Sequence, residues 1–174
     1  MHKILIVVDM QKDFVDGALG TKEAVAILPA VCSKIKGFDG EIIVTYDTHS
    51  ENYMQTSEGA KLPVPHCIKG TDGHALDKSV QQALSKKEYI SVEKVTFGAS
   101  DLPALLSEKF DMTDTEIELI GLCTDICVVS NVLLLKAHFP EIKISVDSSC
   151  CAGVTPEKHE AALETMRSCQ IDVI

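Results

Sequence analysis

Strand-like and helix-like segments alternate along almost the whole chain, and this alternation constrains the fold more than any other feature. Short apolar runs, several rich in β-branched residues, cover residues 3–8, 41–46, 89–92, 116–120, 142–146 and 172–174. Between them, apolar residues recur at helical spacing over 22–36, 75–85, 102–109, 125–137 and 156–168. Strands separated by helices have no hairpin connections, so they favour a parallel sheet in an α/β domain. End signals agree with the helices. Thr155 is placed to cap a helix that Pro156 begins, and Gly37 to stop the one that starts near Thr21. With no Pro/Ser-rich linker and no internal repeat, residues 1–174 read as one domain, large enough to bury about two-thirds of its unfolded surface.

Composition narrows the partner. A content of 45% hydrophobic and 24% charged residues is ordinary for a globular protein, and no apolar run approaches the roughly 18 residues of a membrane span. The net charge of −10, with basic residues scattered along the chain, disfavours a nucleic-acid backbone, so a small-molecule partner is expected. Met1-His2-Lys3 passes at once into an apolar run that lacks a small-residue cleavage site, and it reads as a first strand. Seven cysteines cannot all pair internally, and without a secretion signal the expected location is the reducing cytoplasm.

In open parallel sheets, ligands bind beyond the carboxyl ends of the strands, near the point where strand order reverses. The residues expected there are Asp9, Asp47 and His49, Glu93 and Lys94, the stretch from Gly121 to Cys127, and Asp147. Cys127 falls in the first turn of the 125–137 helix, where free N–H groups and the helix dipole lower a thiol pKa and can hold an oxyanion. Inert packing is the competing reading, since free cysteine is among the most buried residue types. Lys94 as an ammonium would favour the thiolate, and Asp9 could take the thiol proton and pass one to a leaving amine. The backbone N–H groups of Cys123 and Cys127 could hold a tetrahedral oxyanion. Taken singly, Asp9 also reads as a turn residue and Lys94 as a solvated surface lysine.

Five stretches together carry a family resemblance. Ile6-Val7-Val8-Asp9-Met10-Gln11-Lys12-Asp13-Phe14, Asp47-Thr48-His49, Pro65-His66-Cys67-Ile68-Lys69-Gly70-Thr71, Lys94, and Gly121-Leu122-Cys123-Thr124-Asp125-Ile126-Cys127-Val128 occur in this order over nearly the whole chain. The pattern resembles the nicotinamidase branch of the isochorismatase-like cysteine hydrolases. The resemblance implies a three-layer sandwich with a six-stranded parallel sheet in order 3-2-1-4-5-6, a catalytic triad at Asp9, Lys94 and Cys127, and hydrolysis of a small amide through a thioester. It also implies a cis peptide at Leu122–Cys123, a pyridine pocket lined by Phe14, and a homo-oligomer. Isochorismatases proper lack the nucleophilic cysteine, so Cys127 points to an amide bond and away from a vinyl ether.

The long segment 47–73 has two prolines, three glycines and two histidines, the composition of a functional loop. One carboxylate and two histidines in it suit zinc, iron or manganese, although a short Asp-x-His also serves turns. The resemblance implies that Asp47, His49 and His66 bind a divalent metal, zinc first and iron or manganese as alternatives, and Glu58 is the nearest candidate for a further ligand. The chain has no Trp, whereas the family commonly has an aromatic residue shortly before the Pro-His motif, so one pocket wall differs. Two alternatives follow: a metal-independent hydrolase of another small amide, and a redox protein using Cys123 and Cys127, whose spacing is not Cys-x-x-Cys. Cys150-Cys151 reads as packing in a small-residue turn, and Cys32, Cys67 and Cys169 as structural. His138 and His159 read as surface or end-capping residues, and Asp125 as a helix cap.

Overall fold

The first apolar run becomes the centre of the sheet. In the computed structural model, which describes residues 2–174, β1 (His2–Val8) pairs with β2 (Glu41–Asp47) on one side and β4 (Thr115–Leu122) on the other. β3 (Ile90–Lys94), β5 (Lys143–Ala152) and β6 (Asp172–Val173) complete a parallel sheet in order 3-2-1-4-5-6. The expected topology is therefore found. Both faces of β1 are buried, which is why the run lacks polar alternation.

Register sets the two cores. Ile6 lies opposite Ile43 and Leu119, and with Ile4, Val8, Ile117, Ile144 and Val146 it packs on the face covered by α5 (Leu102–Lys109), α6 (Val129–His138) and α7 (Pro156–Ser168). Leu5 and Val7 point the other way, into a core shared with α1 (Lys12–Val15), α2 (Lys22–Gly37) and α4 (Lys78–Leu84). Each fully buried Leu, Ile or Val contributes about 1.5–3 kcal/mol, so β1 alone is a large part of what holds the layers together. The Thr155 cap read from sequence is present, accepting from the Lys158 amide at 3.3 Å; Thr21 caps α2 through the Ala24 amide at 3.0 Å, and that helix runs through Gly37 to end at Phe38.

Three boundaries differ from expectation, each for a local reason. β5 continues to Ala152 because the strand loses register with β4 between Val146 and Cys151 and then resumes, so Cys150 and Cys151 are strand residues and not a turn. In the interruption the Ser148 amide donates to the Ile174 carbonyl. α4 begins only at Lys78, since Asp77 caps it through the Ser79 amide at 2.8 Å. The 125–137 segment opens as a π-helical turn over Thr124–Val128, in which the Ile126 and Val128 amides share the Cys123 carbonyl. Among the described residues no helix is long and apolar enough to cross a membrane.

Strand order reverses between β1 and β4, and the crevice lies beyond their carboxyl ends. Close approach there depends on Gly121, whose φ is +120° and where a Cβ would stand 2.1 Å from the Val8 carbonyl oxygen. The Leu122–Cys123 peptide that follows is cis, as the resemblance implies.

Candidate active site

Four strand ends deliver the charged groups. Asp9 follows β1 in a left-handed conformation, φ +48°, which Asp tolerates better than most residues. Thr45 of β2 fixes it: the Asp9 amide donates to the Thr45 carbonyl and to Oγ1, and Thr45 Oγ1 donates to Asp9 Oδ1 at 2.6 Å. Asp9 Oδ2 lies 2.7 Å from Lys94 Nζ, a buried ion pair. Lys94 closes β3, and its ammonium donates to Cys127 Sγ at 3.5 Å, to Asp47 Oδ1 at 3.3 Å and to the Thr96 carbonyl at 3.1 Å. Asp9, Lys94 and Cys127 thus meet in one buried cluster, although Lys94 on its own reads as a surface residue.

Burial decides the protonation of this cluster. It pushes the Cys127 thiol well up, and the Asp9 charge adds to the effect against the opposing pull of Lys94. Burial also raises the Asp9 carboxyl, with Lys94 acting the other way. Burial alone would drive Lys94 down, but Asp9, Cys127 and Asp47 keep it firmly ammonium. Against the expectation that Lys94 depresses the thiol, desolvation and the Asp9 charge push it up here, beside a carboxyl that burial also raises. Such an arrangement can give a thiolate if one proton passes from Sγ to Asp9, with Lys94 compensating the charge that develops on sulfur.

Beside it lies a second cluster. Asp47 Oδ2 is 3.0 Å from His49 Nε2 and 3.5 Å from His66 Nε2, while Glu58 Oε1 is 3.7 Å from His49 Nε2 and 3.6 Å from His66 Nε2. One donor atom from each of the four lies within 4.8 Å of every other. Ligands about 2.1 Å from a central ion stand roughly 3.0 to 3.4 Å apart at octahedral or tetrahedral angles, so the set fits a divalent metal. Two imidazoles and two carboxylates are the donors that zinc, iron and manganese accept. Glu58 reaches the site because α3 (Ser57–Lys61), capped by Thr56 through the Gly59 amide at 3.0 Å, presents it in its first turn.

The second ring of partners was not read from the sequence. Gln11, fully buried, donates to the Asp47 carbonyl and accepts from the Asp47 amide, both at 2.8 Å, and so holds the end of β2. Tyr53 stands edge-on to His49 and His66, with ring centroids 4.7 and 5.0 Å away, and donates its hydroxyl to the Leu62 carbonyl. The Val64 carbonyl, 2.8 Å from His66 Nδ1, leaves Nε2 free to face the cluster. The Phe14 ring centroid sits 5.4 Å from that of His66.

Other expected strand-end residues lie elsewhere. Glu93 pairs with Lys69 at 2.6 Å on the surface. Asp147 lies within β5 and pairs with Lys34 at 2.8 Å on the α2 side, away from the crevice. Asp125 accepts from the Val154 amide at 2.9 Å and does not cap the helix, whereas His159 meets Thr124 Oγ1 at 2.8 Å and ties α7 to the π-helical turn. Cys123 is half-buried, and burial with the charges of Asp125 and Asp9 pushes its thiol up to about 12.

Residues 3–174 match the Isochorismatase domain family over almost the entire chain. The chain belongs to the isochorismatase family. This isochorismatase-family chain is 26% identical over 187 residues to a nicotinamidase/pyrazinamidase of Mycobacterium tuberculosis, covering 99% of this chain and 98% of the relative. The crystal structure of nicotinamidase/pyrazinamidase PncA from Bacillus subtilis superposes with a TM-score of 0.87 at 28% identity, covering 99% of each chain. A pyrazinamidase of Pyrococcus horikoshii in complex with zinc superposes with a TM-score of 0.81 at 26% identity, covering 100% of this chain and 99% of that one. By these relatives the isochorismatase-family chain is an amidohydrolase, and its four-donor cluster could hold a divalent metal.

Proposed function

We propose that residues 1–174 work as a single hydrolase domain that converts nicotinamide to nicotinate and ammonia through a thioester on Cys127. The observation that carries this reading is the Lys94 ammonium, held between Asp9 Oδ2 and Cys127 Sγ and joined through Asp47 to the four-donor cluster. The names of the relatives from Mycobacterium tuberculosis and Bacillus subtilis support the choice of amide.

In this mechanism Asp9 takes the Cys127 proton as sulfur attacks the amide carbon. The tetrahedral oxyanion is received by the Cys123 and Cys127 amides, each such donor contributing a few kcal/mol in dry sites. Asp9 then gives the proton to the departing nitrogen, the C–N bond breaks, and ammonia leaves a nicotinoyl thioester. Water attacks the thioester, giving one proton to Asp9, and the C–S bond breaks; Asp9 returns that proton to sulfur, and the product departs as nicotinate once its carboxyl proton is lost to solvent. Lys94 remains ammonium throughout and offsets the negative charge on sulfur. Asp47, His49, Glu58 and His66 would hold the metal, zinc on this reading, which supplies a Lewis acid to orient the pyridine nitrogen; Phe14 lines the ring pocket.

A metal-free hydrolase of another amide is the weaker reading, because the four donors converge so closely. The proposal also sets the enzyme in the cytoplasm, as a homo-oligomer whose product enters NAD salvage. The deciding experiment is ammonia release from nicotinamide before chelation, after it, and after zinc is restored. Loss and rescue support both substrate and metal; unchanged activity after complete metal removal contradicts the metal assignment, and no ammonia at any stage contradicts the substrate.

A further inference from the structure

We propose that Asn131 is a positioning residue that fixes Cys127 against Lys94 by tying the first turn of α6 to the loop that follows β3. The inference rests on the reading of Cys127 as nucleophile and adds a residue to it. Asn131 is fully buried, one turn beyond Cys127. Its Nδ2 donates to the Cys127 carbonyl at 2.8 Å and to the Phe97 carbonyl at 3.3 Å, and its Oδ1 accepts from the Ala99 amide at 2.9 Å. Two carbonyls on one side and an amide on the other allow a single orientation of the side chain.

The loop it grips carries one of the four groups around Lys94 Nζ. Thr96, between Lys94 and Phe97, supplies the carbonyl that accepts from Lys94 Nζ at 3.1 Å. Val95 and Phe97 are exposed, so packing does little to hold the 95–98 segment, whereas Ala99 is buried. The Asn131 amide therefore bridges the backbone of the nucleophile to the segment that helps aim the ammonium. An apolar side chain of similar size would leave buried backbone groups without partners, which gives the polar residue a role beyond filling space.

The test compares Asn131→Asp, which keeps the shape and loses both donors, with Asn131→Ser, which keeps a hydroxyl able to donate to the carbonyl four residues back. Both are measured for kcat and KM on nicotinamide, for zinc affinity, and for the rate of iodoacetamide alkylation of Cys127 followed by peptide mass spectrometry. Misplacement of reacting groups predicts a loss of about tenfold or more in kcat and in the alkylation rate for Asn131→Asp, with a smaller loss for Asn131→Ser. KM and zinc affinity are expected to stay within about twofold, since those groups lie on other elements. Wild-type kcat and alkylation in either folded variant would overturn the proposal, as would losses in which zinc affinity and KM deteriorate together. If the wild-type protein releases no ammonia from nicotinamide, the substrate reading fails, and the alkylation rates still decide the role of Asn131.

Discussion

The Asp47 carboxylate and the Lys94 ammonium, 3.3 Å apart, join the two halves of the site. Asp47 Oδ1 faces Lys94, while Oδ2 faces His49 and His66. One side chain thus sets the charge beside Cys127 and supplies one atom to the four-donor cluster. Burial would raise its pKa, but His49, His66 and Lys94 together hold the carboxyl well below the usual carboxylate range. It is anionic at any working pH.

Removing that charge should act first on the metal. Asp47→Asn keeps the shape but weakens a donor, and zinc affinity should fall by on the order of 10- to 100-fold or more, a range also seen when only supporting partners are lost. Glu58→Gln should follow in the same direction. Calorimetric titration of both variants checks this, and wild-type zinc affinity in Glu58→Gln would remove Glu58 from the ligand set.

Gly121 makes a sharper claim about the backbone. With φ at +120° and the Val8 carbonyl oxygen 2.1 Å from where a Cβ would stand, Gly121→Ala must move β4 away from β1 or fail to fold. The expected destabilisation is about 3 kcal/mol or more, from positive-φ strain together with steric overlap. Urea unfolding measures it, and a loss below about 1 kcal/mol would show that the strands yield easily at this point.

Asp147 predicts a pH dependence far from the crevice. Burial pushes its carboxyl up, yet Lys34 and Ser149 outweigh that and hold it below its ordinary value. A depressed carboxyl stabilises the fold above the unfolded value near pH 4 and loses that contribution as pH falls through the folded value. Asp147→Asn should therefore be less stable than wild type at pH 7 by up to about 1 kcal/mol, because Lys34 keeps Glu118 at 2.7 Å. The difference should close as pH falls through the folded value. A gap that widens in acid would reverse the sign of the argument.

What could be read from the sequence follows the reach of each signal. β1 was legible because both of its faces are buried and the run is continuous, and Asp9, Asp47, Lys94 and Cys127 were legible because strand ends in such sheets face the ligand. Glu58 needed the resemblance, as nothing local marks the short α3 that presents it. Gln11, Thr45 and Asn131 carried no signal, since each meets a backbone or carboxylate group 36, 36 or 32 residues away, the Ala99 amide in the case of Asn131. Tyr53 is an aromatic in a polar loop, and its packing against two imidazoles exists only once that loop folds. The thiol was misjudged for a related reason: a helix start is visible in sequence, but the depth at which it is buried is not.

The central claim is that Cys127 attacks an amide carbon. Rapid acid quenching of the enzyme during turnover of nicotinamide, followed by peptide mass spectrometry, tests it most directly. A nicotinoyl group is expected on the Cys127 peptide during turnover, absent from the folded Cys127→Ala variant, whose ammonia release should fall by about a thousandfold or more. Undiminished ammonia release by Cys127→Ala, or a nicotinoyl group carried by another residue, would contradict it.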